Sequence, residues 1–64
     1  MPLVHIKLLP GRTDEQKQQL TERVTAAFED VLGIPPDGTW TIYEEVEAED
    51  WYMRNQSIAS KRKT

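Results

Sequence analysis

Apolar and polar residues alternate at the start of the chain, which predicts a β-strand over residues 3–9. Val4, Ile6 and Leu8 fall on one face of this strand, and residues of mixed polarity fall on the other. Pro10-Gly11 ends the alternation, because proline has no backbone N–H to donate and the pair favours a turn.

The spacing then changes to that of an amphipathic helix, predicted from about residue 14 to residue 32. Thr13 and Gln16 form a capping box, in which each side chain can bond the backbone N–H of the other residue. One face of the helix is apolar: Leu20, Val24, Ala27, Phe28 and Val31. The opposite face is polar: Lys17, Gln18, Thr21, Glu22, Thr25 and Glu29. Gly33 can end the helix in a left-handed conformation, and Pro35-Pro36 prevents its continuation.

A second strand is predicted after the turn at residues 36–38, because β-branched and aromatic residues alternate from Thr39 onward. This strand should extend to Val46. Residues 47–50 are expected to form a loop, and residues 51–58 a short strand or hairpin.

A strand, a helix and a second strand in this order form a single βαβ unit. Its strands should be parallel and its crossover right-handed. The predicted fold class is therefore α+β: one βαβ unit plus a short C-terminal hairpin, completed by oligomerisation. The predicted domain covers residues 1–58, and residues 59–64 are expected to be a basic, disordered tail.

The chain is too small to bury a large core by itself. It has 64 residues, of which Leu, Ile, Val and Phe together make up 14. A domain of about 60 residues buries only about 60% of the surface that its unfolded chain exposes. No cysteine is present to form a disulfide, and one helix cannot cover both faces of a two-stranded sheet. We therefore expect an obligate oligomer.

Charge and composition exclude several classes of function. The net charge is −3, and the basic residues 61–63 lie in the tail, which disfavours a nucleic-acid-binding module. No apolar run is long enough to span a membrane and no leader sequence is recognisable, so a cytoplasmic location is expected. With His5 as the only histidine and no cysteine, no thiolate site and no pair of histidine ligands for a metal is expected, and His5 is interpreted as structural or exposed.

Pro2 is the first candidate for chemistry. Removal of Met1, which aminopeptidases perform before small residues, would leave Pro2 as a secondary amine at the head of a strand. Model α-amino groups titrate at about 7.7–8.0, and burial or a nearby arginine lowers that value toward the range where a general base works best. Taken by itself, a proline at this position favours the simpler role, in which Pro2 only aids initiation or trimming of the N-terminus.

The sequence resembles the 4-oxalocrotonate tautomerase family over about residues 1–58. The shared features are Pro2 after Met1, a short first strand, Gly11-Arg12, the helix start TDEQK and a Gly-x-Pro-Pro exit from the helix. The resemblance implies a βαβ fold with a small hairpin. It also implies an N-terminal proline that acts as the catalytic base, and a homohexamer built as a trimer of dimers.

The resemblance also assigns roles to four other residues. Arg12 matches the arginine that binds the substrate carboxylate, and Trp51 matches an apolar wall of the site or packs in an interface. Trp40 stands where the family's tautomerases usually have a second arginine, which polarises the keto oxygen. Arg54 is therefore either a replacement for that arginine or a surface charge of the hairpin. Tyr43 could be either a core residue or a hydroxyl donor, and the core role is favoured.

The predicted function is a cofactor-independent keto–enol tautomerase, an isomerase acting on a small unsaturated 2-hydroxy or 2-oxo carboxylic acid. One base can remove the proton from oxygen and return it to carbon, while guanidinium groups bind the carboxylate and stabilise the developing charge. Trp40 in place of an arginine leaves two alternatives open. The chain could be a hydratase, dehalogenase or decarboxylase-like relative, or a structural subunit of a hetero-oligomer.

Overall fold

The computed structural model describes residues 2–62. The βαβ unit consists of β1 (Leu3–Leu8), α1 (Asp14–Leu32) and β2 (Trp40–Glu45). Two short strands and a short helix follow it: β3 (Tyr52–Met53), β4 (Gln56–Ser57) and α2 (Ile58–Arg62). Single 3₁₀ turns lie at Pro36–Gly38 and Ala48–Asp50. Within residues 2–62, no helix has the length and apolar character needed to cross a membrane.

The two long strands form a parallel sheet, as the sequence predicts. Leu3 lies opposite Trp40, and the pairing continues over the full length of both strands. Two further hydrogen bonds extend the ladder, one from the Trp40 N–H to the Pro2 carbonyl oxygen at 3.1 Å and one from the Val46 N–H to the Leu8 carbonyl oxygen at 2.9 Å. Pro2 is thus held at the amino end of the sheet.

Both ends of α1 have the predicted capping interactions. The Thr13 N–H donates to Gln16 Oε1 at 2.9 Å, and the Gln16 N–H donates to Thr13 Oγ1 at 3.0 Å. At the other end, Gly33 has a φ of 71° and donates its N–H to the Glu29 carbonyl oxygen at 2.9 Å. The left-handed conformation explains glycine at this position, since a Cβ would be strained there.

The face that α1 turns toward the sheet is more polar than its apolar stripe predicts. Thr21 and Thr25, assigned to the polar face, are half-buried, whereas Leu20 and Val31 of the apolar stripe remain exposed. The reason is a hydrogen-bonding partner on β2: the hydroxyls of Thr21 and Tyr43 lie 2.8 Å apart. Part of the apolar stripe is therefore exposed and can contact another chain.

The single chain has no interior. None of residues 2–62 is buried, and the chain extends over 45 × 24 × 15 Å with a radius of gyration of 15.2 Å. A compact chain of this length would have a radius of about 11 Å. Large apolar side chains are exposed on the sheet, on α1 and on the hairpin: Leu3, Leu20, Val31, Leu32, Trp40, Ile42, Tyr52 and Met53.

The C-terminal segment is more ordered than the sequence predicts. The expectation of a disordered tail from residue 59 is wrong for residues 59–62, which belong to α2. Ser57 caps this helix, because its hydroxyl accepts the Ser60 N–H at 3.0 Å, and the Ile58 N–H donates to the Trp51 carbonyl oxygen at 2.8 Å. Residues 63–64, the rest of the predicted tail, lie outside the described residues.

Candidate active site

Pro2 and Trp40 meet at the amino end of the sheet. Their backbones share the 3.1 Å hydrogen bond from the Trp40 N–H to the Pro2 carbonyl oxygen. Pro2 is half-buried, and the Trp40 side chain is 57% exposed. Leu3, which pairs with Trp40, is also exposed. The structure therefore places the candidate base beside an open apolar surface.

Arg12 lies at the opposite, carboxyl end of the sheet. It contributes to a cavity of about 120 Å³, formed by Leu8, Arg12, Gln16, Lys17, Leu20 and Tyr43. Lys17 is paired with Glu45, with Nζ 3.2 Å from Oε2. Arg12 makes no hydrogen bond or ion pair with any residue between positions 2 and 62. A free guanidinium in a small, partly apolar cavity suits a carboxylate, because it can donate two parallel hydrogen bonds.

Pro2 and Arg12 do not meet within one chain. The whole of β1 separates them, and a strand of six residues is about 20 Å long. A site that uses both residues therefore has to combine the amino end of one chain with the carboxyl end of another.

Arg54 occupies the turn between β3 and β4. Its φ is 59°, and it is the only non-glycine residue within positions 2–62 with a positive φ. A positive φ at only the first residue of a two-residue hairpin turn is typical of a type II′ turn, which favours glycine at that position. Arg54 is exposed and makes no described polar contact. The chain thus carries a free guanidinium where the backbone favours glycine.

Trp51 lies between the 3₁₀ turn at Ala48–Asp50 and β3. It is half-buried, and its backbone joins two neighbouring elements. Its N–H donates to the Ala48 carbonyl oxygen at 3.4 Å, and its own carbonyl oxygen accepts the Ile58 N–H at 2.8 Å. The first strands position Pro2, Trp40 and Arg12, while Trp51 and Arg54 follow in the segment after β2.

The uncovered face of the sheet carries a charged cluster that was not predicted from the sequence. His5 Nε2 lies 2.9 Å from Glu44 Oε1, and Lys7 Nζ lies 3.9 Å from the same oxygen. Parallel register brings these alternating residues of two strands onto one face. No group of three metal-ligating side chains occurs in the described part of the chain.

Tyr43 combines the two roles that the sequence leaves open. It is half-buried against α1, and its hydroxyl donates to the Lys17 carbonyl oxygen at 3.2 Å. Thr21 bonds the same carbonyl oxygen at 2.7 Å. The Tyr43 hydroxyl thus joins the helix to the sheet.

Comparisons with known proteins agree on one family. The family model "Tautomerase enzyme" matches residues 2–61. The 2-hydroxymuconate tautomerase of Bacillus subtilis is 37% identical over 62 residues, which cover 97% of this chain and 92% of the relative.

Two solved structures share the fold. TomN, a 4-oxalocrotonate tautomerase homologue in the tomaymycin biosynthetic pathway, has a TM-score of 0.93 and 35% identity, and the match covers 98% of this chain and 97% of TomN. A heterohexameric 4-oxalocrotonate tautomerase from Chloroflexus aurantiacus has a TM-score of 0.84 and 32% identity, with 92% of this chain and 95% of that chain covered. With its parallel βαβ unit and C-terminal hairpin, the chain belongs to the tautomerase family.

Proposed function

We propose that this protein is a cofactor-independent keto–enol tautomerase that acts on a small unsaturated 2-hydroxy or 2-oxo carboxylic acid. The observation that carries the proposal is the placement of Pro2 at one end of the sheet and of an unpaired Arg12 at the other. These are the base and the carboxylate-binding group that the reaction needs. A second copy of the chain brings them together.

The amine of Pro2 moves the proton once Met1, which lies outside the described residues, has been removed. The unprotonated amine takes the proton from the enol oxygen, and the electron pair of the O–H bond forms the keto group. The electrons of the carbon–carbon double bond then accept the same proton from the protonated amine at carbon. No other reactant is consumed, so one base suffices.

Arg12 binds the substrate carboxylate and orients the enol relative to Pro2 of another copy. The dienolate that forms between the two proton transfers carries negative charge on oxygen, which a preorganised donor stabilises. Trp40 can offer only a neutral indole N–H for this purpose. Arg54 supplies the charged donor, and its strained backbone in a hairpin turn supports a functional reason for keeping arginine there.

The functional unit is a homo-oligomer, and a hexamer built as a trimer of dimers is the proposed form. Three observations on residues 2–62 support assembly: none of them is buried, no described helix covers one face of the sheet, and part of the apolar stripe of α1 is exposed. Exposed apolar surface of this extent marks an interaction site.

An assay of two N-terminal forms tests the proposal. The processed protein, with Met1 removal verified by intact mass, should convert 2-hydroxymuconate or phenylenolpyruvate to the keto form. A form with an uncleavable N-terminal extension should be inactive, because Pro2 is then an amide without basicity. A third form, with the same extension followed by a protease site, should recover activity after cleavage. Equal activity of the extended and processed proteins would refute Pro2 as the base.

A structural role in a hetero-oligomer is the second candidate. The likeness to a chain of the Chloroflexus aurantiacus heterohexamer favours it. Native mass spectrometry of the purified chain discriminates between the two, since a scaffold subunit alone should be misassembled or inactive. A homogeneous, active homo-oligomer would exclude this second role.

A further inference from the structure

The cavity beside Arg12 has a second cationic residue in its wall. Lys17, near the start of α1, lines the same cavity of about 120 Å³ as Arg12. The Lys17 side chain is only 25% exposed, so much of it is shielded from water. A guanidinium and an ammonium group at one small cavity would suit a doubly charged anion such as a phosphate group, because arginine binds phosphate bidentately and lysine binds it as a point charge.

Glu45 neutralises this second cation. Its Oε2 lies 3.2 Å from Lys17 Nζ, and neither residue has another ion-pair partner within positions 2–62. Arg12, by contrast, makes no ion pair or hydrogen bond with any of the same residues. The cavity therefore presents one available cation, the Arg12 guanidinium, although two basic residues line it.

The ion pair between Lys17 and Glu45 is built into the contact of α1 with the sheet. Glu45 pairs with Leu8 at the carboxyl end of the ladder between the two long strands. The Lys17 carbonyl oxygen accepts the Thr21 hydroxyl at 2.7 Å and the Tyr43 hydroxyl at 3.2 Å. Since Tyr43 and Glu45 both belong to β2, one strand contacts Lys17 at its backbone and at its side chain. The pair is thus in place before any ligand enters the cavity.

We infer that Glu45, by occupying Lys17, makes the Arg12 cavity selective for a singly charged carboxylate over a doubly charged phosphate group. A carboxylate needs only the Arg12 guanidinium. A phosphate group would bring a second negative charge to a lysine that is already paired and toward the like charge of Glu45, which is unfavourable. The inference rests on the proposed function for the role of Arg12 and adds which charged group the cavity accepts.

Two matched ligands that do not react test the inference. Phenylacetate and phenyl phosphate each join a phenyl ring to the charged group through one atom. Their binding to the assembled protein, with Met1 removed, is measured by calorimetry at about pH 8, where a phosphate monoester carries nearly two charges because its second pKa is about 6. The variants are Glu45→Gln, the double variant Lys17→Met/Glu45→Gln, and Arg12→Ala. The control is Glu15→Gln, which removes the same charge from an exposed position in the first turn of α1, outside the cavity.

The wild type should bind phenylacetate at least about 10-fold more tightly than phenyl phosphate. Glu45→Gln releases Lys17 and should tighten binding of phenyl phosphate about 10-fold, while phenylacetate binding changes less than about threefold. The double variant should lose this gain, because it has no lysine to release, and Glu15→Gln should bind as the wild type does. Native mass spectrometry verifies that each variant assembles, and the wild-type comparison carries the test if Glu45→Gln does not.

Equal or tighter binding of phenyl phosphate by the wild type would overturn the inference. An assembled Glu45→Gln variant without the gain would overturn it too. A gain that persists in the double variant, or that Glu15→Gln shares, would reveal a general effect of net charge on anion binding and would also refute the role of Glu45.

Turnover of phenylenolpyruvate, measured in parallel, separates this inference from the proposed function. The expected binding pattern without any turnover would support the inference and refute the tautomerase. Turnover with the wrong binding pattern would leave the tautomerase intact and overturn the inference. If Arg12→Ala does not weaken binding of phenylacetate, the carboxylate binds elsewhere, and both the inference and the proposed role of Arg12 fail.

Discussion

Pro2 and Arg12 lie at opposite ends of β1, with six strand residues between them. Neither side chain can reach the other across a strand of about 20 Å. Pro2 is held by the sheet ladder and Arg12 lies just before the cap of α1, so the separation is built into the βαβ unit. The proposed site, which uses both residues, then depends on contact between copies.

Mixed oligomers should recover catalytic efficiency from one inactive variant and one variant with weakened substrate binding. One variant carries the uncleavable N-terminal extension that blocks Pro2, and the other carries Arg12→Ala. The two variants are co-expressed with different tags. If the Pro2 and the Arg12 of each site come from different copies that assemble at random, about one quarter of all sites should be intact. The measurement is kcat/KM per active-site equivalent in the doubly tagged fraction, compared with the value of each variant alone.

The control for this experiment is the doubly altered chain, extended and Arg12→Ala, co-expressed with the extended variant. That mixture contains no free Pro2 amine and should stay inactive. Inactivity of the first mixture, despite proven mixed assembly, would show that each chain supplies both residues to its own site.

Arg54→Gly should separate activity from stability. Glycine tolerates the φ of 59°, so the substitution should leave the protein as stable as the parent or more stable, while removal of the charged donor should lower kcat by about 10²–10³. Steady-state kinetics and urea denaturation measure the two effects. Arg12→Ala serves as the comparison, since it should mainly raise KM.

Arg54→Lys refines the same prediction. Lysine keeps the positive charge and the left-handed strain, and partial retention of kcat is expected. If Arg54→Gly retains kcat within twofold on every substrate, Arg54 is a surface charge and its assignment to the enol oxygen fails.

The thermal midpoint should rise with protein concentration, because assembly stabilises the folded chain by mass action. Ile42→Asp should weaken assembly, since it places a charge on the uncovered face of the sheet. Gln19→Asp adds the same charge at an exposed polar position and should leave assembly unchanged. Sedimentation and calorimetry at several concentrations give the result. A cooperatively folded monomer at micromolar concentration would contradict the prediction.

Tyr43→Phe should lower the free energy of unfolding by about 1 kcal/mol. The substitution removes the hydroxyl that lies 2.8 Å from the Thr21 hydroxyl and donates to the Lys17 carbonyl oxygen. Tyr52→Phe is the matched control, because Tyr52 is 61% exposed and its hydroxyl makes no described hydrogen bond. Urea denaturation at one fixed protein concentration compares the two. Equal stability of both variants would show that the Tyr43 hydroxyl is energetically neutral.

Local signals in the sequence determined the elements of the fold. The Thr13–Gln16 capping box and Gly33 predict the helix from Asp14 to Leu32 as the structure has it. Alternation predicts both long strands to within one residue at each end. These features involve neighbours in the chain, so pattern alone reveals them. The cap that Ser57 provides for α2 was not among the sequence-based predictions.

Only the tertiary structure decided which side chains face each other. Register between β1 and β2 sets the His5–Glu44 pair, and the rotation of α1 sets the contact of Thr21 with Tyr43. The separation of Pro2 from Arg12, by contrast, follows from the length of β1, which the sequence predicts. Residues far apart in the chain meet or separate according to how whole elements pack, and the pattern within one element carries no information about that packing.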